Sequence, residues 1–310
     1  MKRVFVLGVL VAAGLTTAIV AGYQQPAAQG PKVVVEEKLK DNLYVLRGDG
    51  GGGNTAVFIG AKGVVVVDTK NPGWGQPILD KIKQLTDKPI TTIINTHTHG
   101  DHVSGNVEFP ATVDVVAHEN AAASMKRMKS QAGTNIFEQN QGRGLPKRTY
   151  KDKLTLGAGA ERIDLLYFGR GHTDGDTWVV FPALRIVHAG DIFSGKNLPL
   201  LDTNNGGTGL EIGDTLAKAH SGLGNIETII TGHSVQMTMA DLKQYSDFNK
   251  EFLAFVQSGK KAGQTPAQIV AAWKMPAKYN GYTDPLGAGA TEAQRQRLQT
   301  NVESIYAALK

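Results

Sequence analysis

The chain has 310 residues, 41% of them hydrophobic and 20% charged, which excludes a disordered tail, a coiled coil and a collagen-like chain. It contains no cysteine, so disulfides, cysteine zinc sites, a thiol nucleophile and lipid-modified cysteines are all excluded. Lys and Arg number 33 against 28 Asp and Glu, and a net charge of +5 is too small to argue for a nucleic-acid partner.

In chain order, the first segment reads as an export signal. Lys2 and Arg3 precede an uncharged apolar stretch from Val4 to Gly22, and Gln24, Gln25, Pro26 and Gln29 follow as a polar spacer. Residues 1–28 are assigned to this signal peptide and spacer, which predicts a periplasmic or secreted protein. The apolar run also approaches the length that spans a bilayer, so an uncleaved membrane anchor is the competing reading.

Short β-branched runs follow at Val33–Val35, Leu43–Leu46, Ala56–Ile59 and Val64–Val67, separated by turn residues. The Gly50–Gly53 run between two of them lacks the Lys-Ser/Thr ending of a phosphate-binding loop and predicts a flexible hairpin tip. Ile78, Ile82 and Leu85 share one face of a helix over Pro77–Leu85. A strand at Ile90–Asn95 leads into a His-rich stretch, and Val113–Val116 and Asn120–Lys129 read as strand and helix. Residues 126–153 are dominated by Lys and Arg and read as a solvated surface insertion, or as a loop that draws an anionic substrate to the site. The pattern then repeats, with strands at Ile163–Phe168, Trp178–Phe181 and Arg185–Val187, a helix at Glu211–His220 and a strand at Ile226–Ile230. Strands followed by a helix, twice over, predict two packed sheets with helices outside. The remainder is helical, at Ala240–Gln257, Pro266–Trp273 and Thr291–Ala308. It predicts an extension over 236–310 that packs on a main domain at 33–235 and offers a surface for self-association.

The chemistry concentrates in Thr96-His97-Thr98-His99-Gly100-Asp101-His102. In an extended segment His97, His99 and Asp101 point the same way, and a turn after Gly100 brings His102 round. Imidazole and carboxylate are favoured ligands of divalent transition metals. Three later turns each place a polar side chain after glycine: Gly171-His172, Gly190-Asp191 and Gly232-His233. The other histidines, His118, His188 and His220, read as cap, strand or helix residues, with His188 near enough to Asp191 to support it.

Together these motifs resemble the metallo-β-lactamase superfamily of binuclear metallohydrolases, over roughly residues 33–235. The resemblance implies a four-layer αβ/βα sandwich, here with the helical C-terminal extension added. It implies that His97, His99 and His172 hold a first metal, that Asp101, His102 and His233 hold a second, and that Asp191 bridges them. Asp68, ending the Val64–Val67 strand, is expected beneath the metals, fixing a ligand imidazole. The implied activity is hydrolysis of a small amide or ester, β-lactam-like, by a hydroxide bridging two Zn2+ ions, with Asp101 as the catalytic residue that orients it and passes a proton. Lys196, five residues after Asp191, is expected to bind a carboxylate of a small-molecule substrate. Two alternatives stay open: an iron-bearing sulfur or redox member of the same superfamily, and a non-catalytic periplasmic metal-binding protein.

Overall fold

The computed structural model describes residues 32–310 other than 131. The expected signal segment therefore lies outside the described residues. Among the described residues twelve strands form two sheets. The first sheet holds β1 (Val35–Lys40), β2 (Leu43–Arg47), β3 (Thr55–Ile59), β4 (Val64–Val67), β5 (Ile90–Ile94), β6 (Asp114–His118) and β7 (Arg148–Tyr150) in sequential order. It is antiparallel from β1 to β4 and parallel from β4 to β7. The second sheet runs β12-β11-β10-β9-β8, built from β8 (Lys153–Leu156), β9 (Ile163–Leu166), β10 (Trp178–Phe181), β11 (Ile186–Gly190) and β12 (Thr228–Thr231), with only β11 and β12 parallel.

Helices α1 (Gly75–Leu85), α2 (Gly100–Val103), α3 (Glu119–Arg127), α4 (Ile136–Gln139), α5 (Ile212–Gly222), α6 (Met239–Lys261), α7 (Pro266–Ala272) and α8 (Glu292–Ala308) accompany the strands among the described residues. Leu43, Phe58, Val67, Ile94 and Val116 of one sheet meet Ile163, Leu165, Val179, Phe181 and Ile230 of the other, forming the central core. On the far side of the first sheet, α1 lays Ile78 and Ile82 against Val57, Val64, Val66 and Ile93. On the far side of the second sheet, α5, α6 and α8 bury Leu216, Tyr245, Phe248, Phe252, Val302 and Ile305 with Trp178 and Val187. The layers are thus helix, sheet, sheet, helix, and each buried large apolar side chain contributes about 1.5–3 kcal/mol.

Local sequence explains the element boundaries. The Val64–Val67 run forms a central strand, antiparallel to β3 and parallel to β5, whose two faces are both covered, so alternation is not required. All three C-terminal helices open with a capping box, Thr238 with Asp241, Thr265 with Gln268 and Thr291 with Gln294, in which side chain and backbone donors satisfy each other reciprocally. Among the described residues no helix is long and apolar enough to cross a membrane.

The basic 126–153 segment is largely exposed, as the surface reading expects, but it also supplies β7 at the edge of the first sheet. Two of its cations serve the protein's own acceptors: Arg143 donates to the Phe109 carbonyl at 2.6 Å and Arg148 pairs with Asp114. The glycine run also differs from a flexible tip. Gly51 and Gly53 are buried, and a Cβ on Gly53 would run into the His102 imidazole. Only glycine allows that approach.

Candidate metal centre

The carboxyl ends of the parallel strands meet at one edge of the two sheets. Asp68 follows β4, the His97–His102 stretch follows β5, Asp191 follows β11 and His233 follows β12. His172 joins from the turn between β9 and β10. The structure brings all seven expected ligands together. His97, His99, His172 and Asp191 form one group, and Asp101, His102 and His233 another, with ligand atoms within 4.8 Å of one another in each group. Asp191 lies between the groups: its Oδ1 is 3.2 Å from His102 Nε2, and its Oδ2 is 3.2 Å from His233 Nε2 and 3.9 Å from His172 Nε2. Gly232 is needed here, since a Cβ there would collide with Asp191 Oδ1.

Hydrogen bonds on the outer side of each ring decide which nitrogen faces the centre. Asp68 is fully buried and accepts from Thr96 N at 2.8 Å, Thr96 Oγ1 at 2.7 Å and His102 Nδ1 at 2.7 Å. His102 therefore carries a proton on Nδ1, and its neutral form presents the Nε2 lone pair inward. The Thr96 hydroxyl spends its only proton on Asp68, so at 2.9 Å from His97 Nδ1 it accepts, and His97 Nε2 is likewise a lone pair. His172 Nδ1 donates to the Leu200 carbonyl at 2.7 Å. His99 Nε2 donates to Asp202 Oδ2 at 2.8 Å. These tautomers are assigned from the network. Their consequence is that His172 Nε2 and His99 Nδ1, 2.9 Å apart, face each other as two lone pairs. That arrangement is repulsive unless a cation lies between them.

Two buried atoms say the same. His97 Nε2 and Asp191 Oδ1 have no hydrogen-bond partner, and leaving such atoms unsatisfied is costly. The donor set, neutral imidazoles with carboxylates, suits a divalent transition metal. Burial, then the neighbouring imidazoles, holds His97 well below the usual histidine range, and burial and His99 push His172 down to about 4. Both stay neutral at pH 7. The other half is acidic. Burial opposes charge on His233, but Asp101 and Asp191 raise it to about 9, while Asp191 and Asp68 lift His102 above its ordinary value against its burial. Burial would raise Asp191, but His102 and His233 hold its carboxyl far below the usual range. Without metal, protons thus neutralise the carboxylates of this half.

The backbone pays for the convergence in places. Asp68 and Lys70 both adopt left-handed conformations, at φ 61° and 66°, which non-glycine residues rarely do. Lys70 is completely buried, donates to the Gly53 carbonyl at 2.5 Å, and is lowered by burial to about 8. Asn54, next to the glycine run, donates to the Thr231 and Ser234 carbonyls at 2.8 and 2.9 Å and so holds the His233 turn. Asp176 accepts from Thr173 N and Oγ1 and fixes the turn that carries His172. Asp202, Lys70 and Asn54 carry no spacing signal in the sequence.

The remaining expectations have definite places. Lys196 pairs with Asp241 Oδ1 at 2.7 Å, so its charge is already compensated. His118 caps α3 by accepting from Asn120 N and donates to the Lys151 carbonyl. His188 donates to the Asn54 carbonyl and accepts from Gly190 N, and His220 lies in the last turn of α5.

Residues 48–233 match the family model of the metallo-beta-lactamase superfamily. The metallo-beta-lactamase type 2 of Elizabethkingia meningoseptica is 24% identical over 246 residues, 71% of this chain and 89% of that protein. A metallo-beta-lactamase from Pontibacter korlensis superposes with a TM-score of 0.57 at 17% identity, covering 70% of this chain and 99% of that one. A double mutant of the sec-alkyl sulfatase PisA1 superposes with a TM-score of 0.64 at 17% identity, covering 89% of this chain and 50% of that one.

Proposed function

Because the chain belongs to the metallo-β-lactamase superfamily, we propose that it is an exported, zinc-dependent hydrolase that cleaves a small amide or ester of β-lactam type. The observation that carries the metal is the pair of inward lone pairs, on His172 Nε2 and His99 Nδ1, 2.9 Å apart. In this reading His97, His99 and His172 hold one zinc, Asp101, His102 and His233 the other, and Asp191 both. Two such ions would supply a water acidified toward neutrality and a Lewis acid for the substrate carbonyl.

The residues divide the remaining work. Asp68, Asp202 and the Leu200 carbonyl keep the imidazoles in the metal-accepting tautomer. Asp101 and His233 are the open side of the site, with side chains 34% and 37% exposed, whereas His102, His172 and Asp191 are buried. Substrate therefore approaches across Asp101, whose Oδ2 orients the attacking water and passes a proton toward the leaving group. Lys196 would reach a substrate carboxylate only by releasing Asp241. Export rests on Lys2, Arg3 and the apolar stretch behind them.

The test is turnover of a chromogenic β-lactam and a panel of simple esters and lactones by the zinc-loaded protein. Hydrolysis lost on chelation and in Asp101→Asn supports the proposal. A zinc-loaded protein inert to the whole panel contradicts the hydrolase reading.

A further inference from the structure

Two of the three imidazoles assigned to the first metal take their outer hydrogen bonds from a single segment, residues 196–209. Leu200 supplies the carbonyl for His172 Nδ1, and Asp202 the carboxylate for His99 Nε2. The same segment donates Asp202 N to the His172 carbonyl at 3.0 Å and Thr208 N to the Gly171 carbonyl at 2.8 Å. Its own regular structure is one short turn, Thr203–Asn205. Something outside it must set its position.

That support comes from the C-terminal extension. Asn301 of α8, buried at 1% exposure, donates Nδ2 to the Pro199 carbonyl at 2.9 Å, one residue before Leu200. Thr283 N donates to the Lys196 carbonyl at 2.9 Å, and Lys196 Nζ pairs with Asp241 of α6. Leu198 and Leu201 share a core with Leu298, Val302 and Ile305 of α8, and a Cβ at Gly209 would run into Ile305. The other half of the centre is held differently: Asp68 fixes His102, and Asn54 holds the His233 turn. Asn301 lies beyond the segment that matches the family model.

We propose that Asn301 is a positioning residue for the first metal, acting through the Pro199–Asp202 backbone on His172 and His99. This rests on the ligand assignment above. Loss of an outer partner of a ligand histidine typically weakens metal binding by 10–100-fold. Removing the support of two such partners is expected to cost the first site about tenfold, with little effect on the second.

The experiment titrates the full chain with Zn2+ against a chelator, for wild type, Asn301→Ala, the isosteric Asn301→Asp and Val256→Ala. Val256 is a buried apolar residue of α6, so its truncation loosens the same helices without removing a hydrogen bond. Co2+-loaded samples are followed in parallel by the shifted imidazole N–H resonances. The expected result is one site weakened about tenfold in both Asn301 variants. The His99 and His172 resonances should be displaced, the His102 resonance unmoved, and Val256→Ala near wild type at both sites. Parallel weakening of both sites, or a folded Asn301 variant with both affinities unchanged, overturns the proposal while leaving the ligand assignment standing. A wild type without metal on His97, His99 and His172 overturns the assignment and the proposal with it.

Discussion

Replacing Asp68 by asparagine should turn the metal centre against its metals without unfolding the protein. Oδ1 of the new amide can still accept from Thr96 N, but the amino group takes the place of Oδ2, which faces Thr96 Oγ1 and His102 Nδ1. Two donors cannot face each other, so His102 must accept at Nδ1 and move its proton to Nε2. The Thr96 hydroxyl, now accepting from the amide, must give its proton to His97 Nδ1, and His97 follows suit. Both imidazoles then present N–H groups inward. Restoring either lone pair leaves buried donors facing each other unsatisfied, at about 1–3 kcal/mol, and at about 1.4 kcal/mol per tenfold each metal weakens by roughly 5–100-fold. The assay is competitive zinc titration of both sites, with thermal unfolding of the chelated protein as the folding control. Wild-type affinity at both sites, in a variant that keeps its Tm, would refute the tautomer argument.

The same logic makes Asp202→Asn selective: of the ligand imidazoles His99 alone faces that carboxylate, so one zinc should weaken and the other hold, and equal weakening of both would count against it. Gly53→Ala drives a methyl into the His102 ring and should cost about 1–3 kcal/mol of stability, together with tightness at the second metal; unchanged unfolding would mean the loop yields freely. Burial pushes the Asp176 carboxyl up to about 7. Its ionisation therefore costs stability that is absent below the ordinary carboxylate pKa and grows as pH rises toward 7. In chelated protein the Tm of Asp176→Asn, relative to wild type, should rise between about pH 4 and about pH 7 and then level off; a constant difference would show that Asp176 is not buried as a strained acid.

The sequence exposed those features that depend on local pattern. The period-2 placement of His97 and His99, and the glycines before His172, Asp191 and His233, marked side chains that do converge, whereas Asp101 lies in α2 rather than an extended segment and groups with His102 and His233 instead. Asp68 was legible through the family resemblance, which places an acid at the end of that valine strand. Asp202 was not, because its role depends on where a loop without regular structure is held by α8, and no spacing rule encodes that. The edge strands β7 and β8 were missed because Arg148, Lys151 and Lys153 give them the composition of a surface loop. Lys196 follows Asp191 at a suggestive spacing, yet its partner, Asp241, arrives from a helix start 45 residues away. Composition likewise made Gly50–Gly53 look like a free tip, whereas close packing on Asp101 and His102 is what demands glycine there.

The most direct test is the metal content of the purified protein, measured by elemental analysis on wild type and on His172→Ala. Two zinc ions per chain in the wild type, falling to one in the variant, is the predicted result. A wild type that carries no metal after zinc loading, a single iron in its place, or a variant that retains both zinc ions would contradict the binuclear centre built on His97, His99, His172, Asp101, His102, His233 and Asp191.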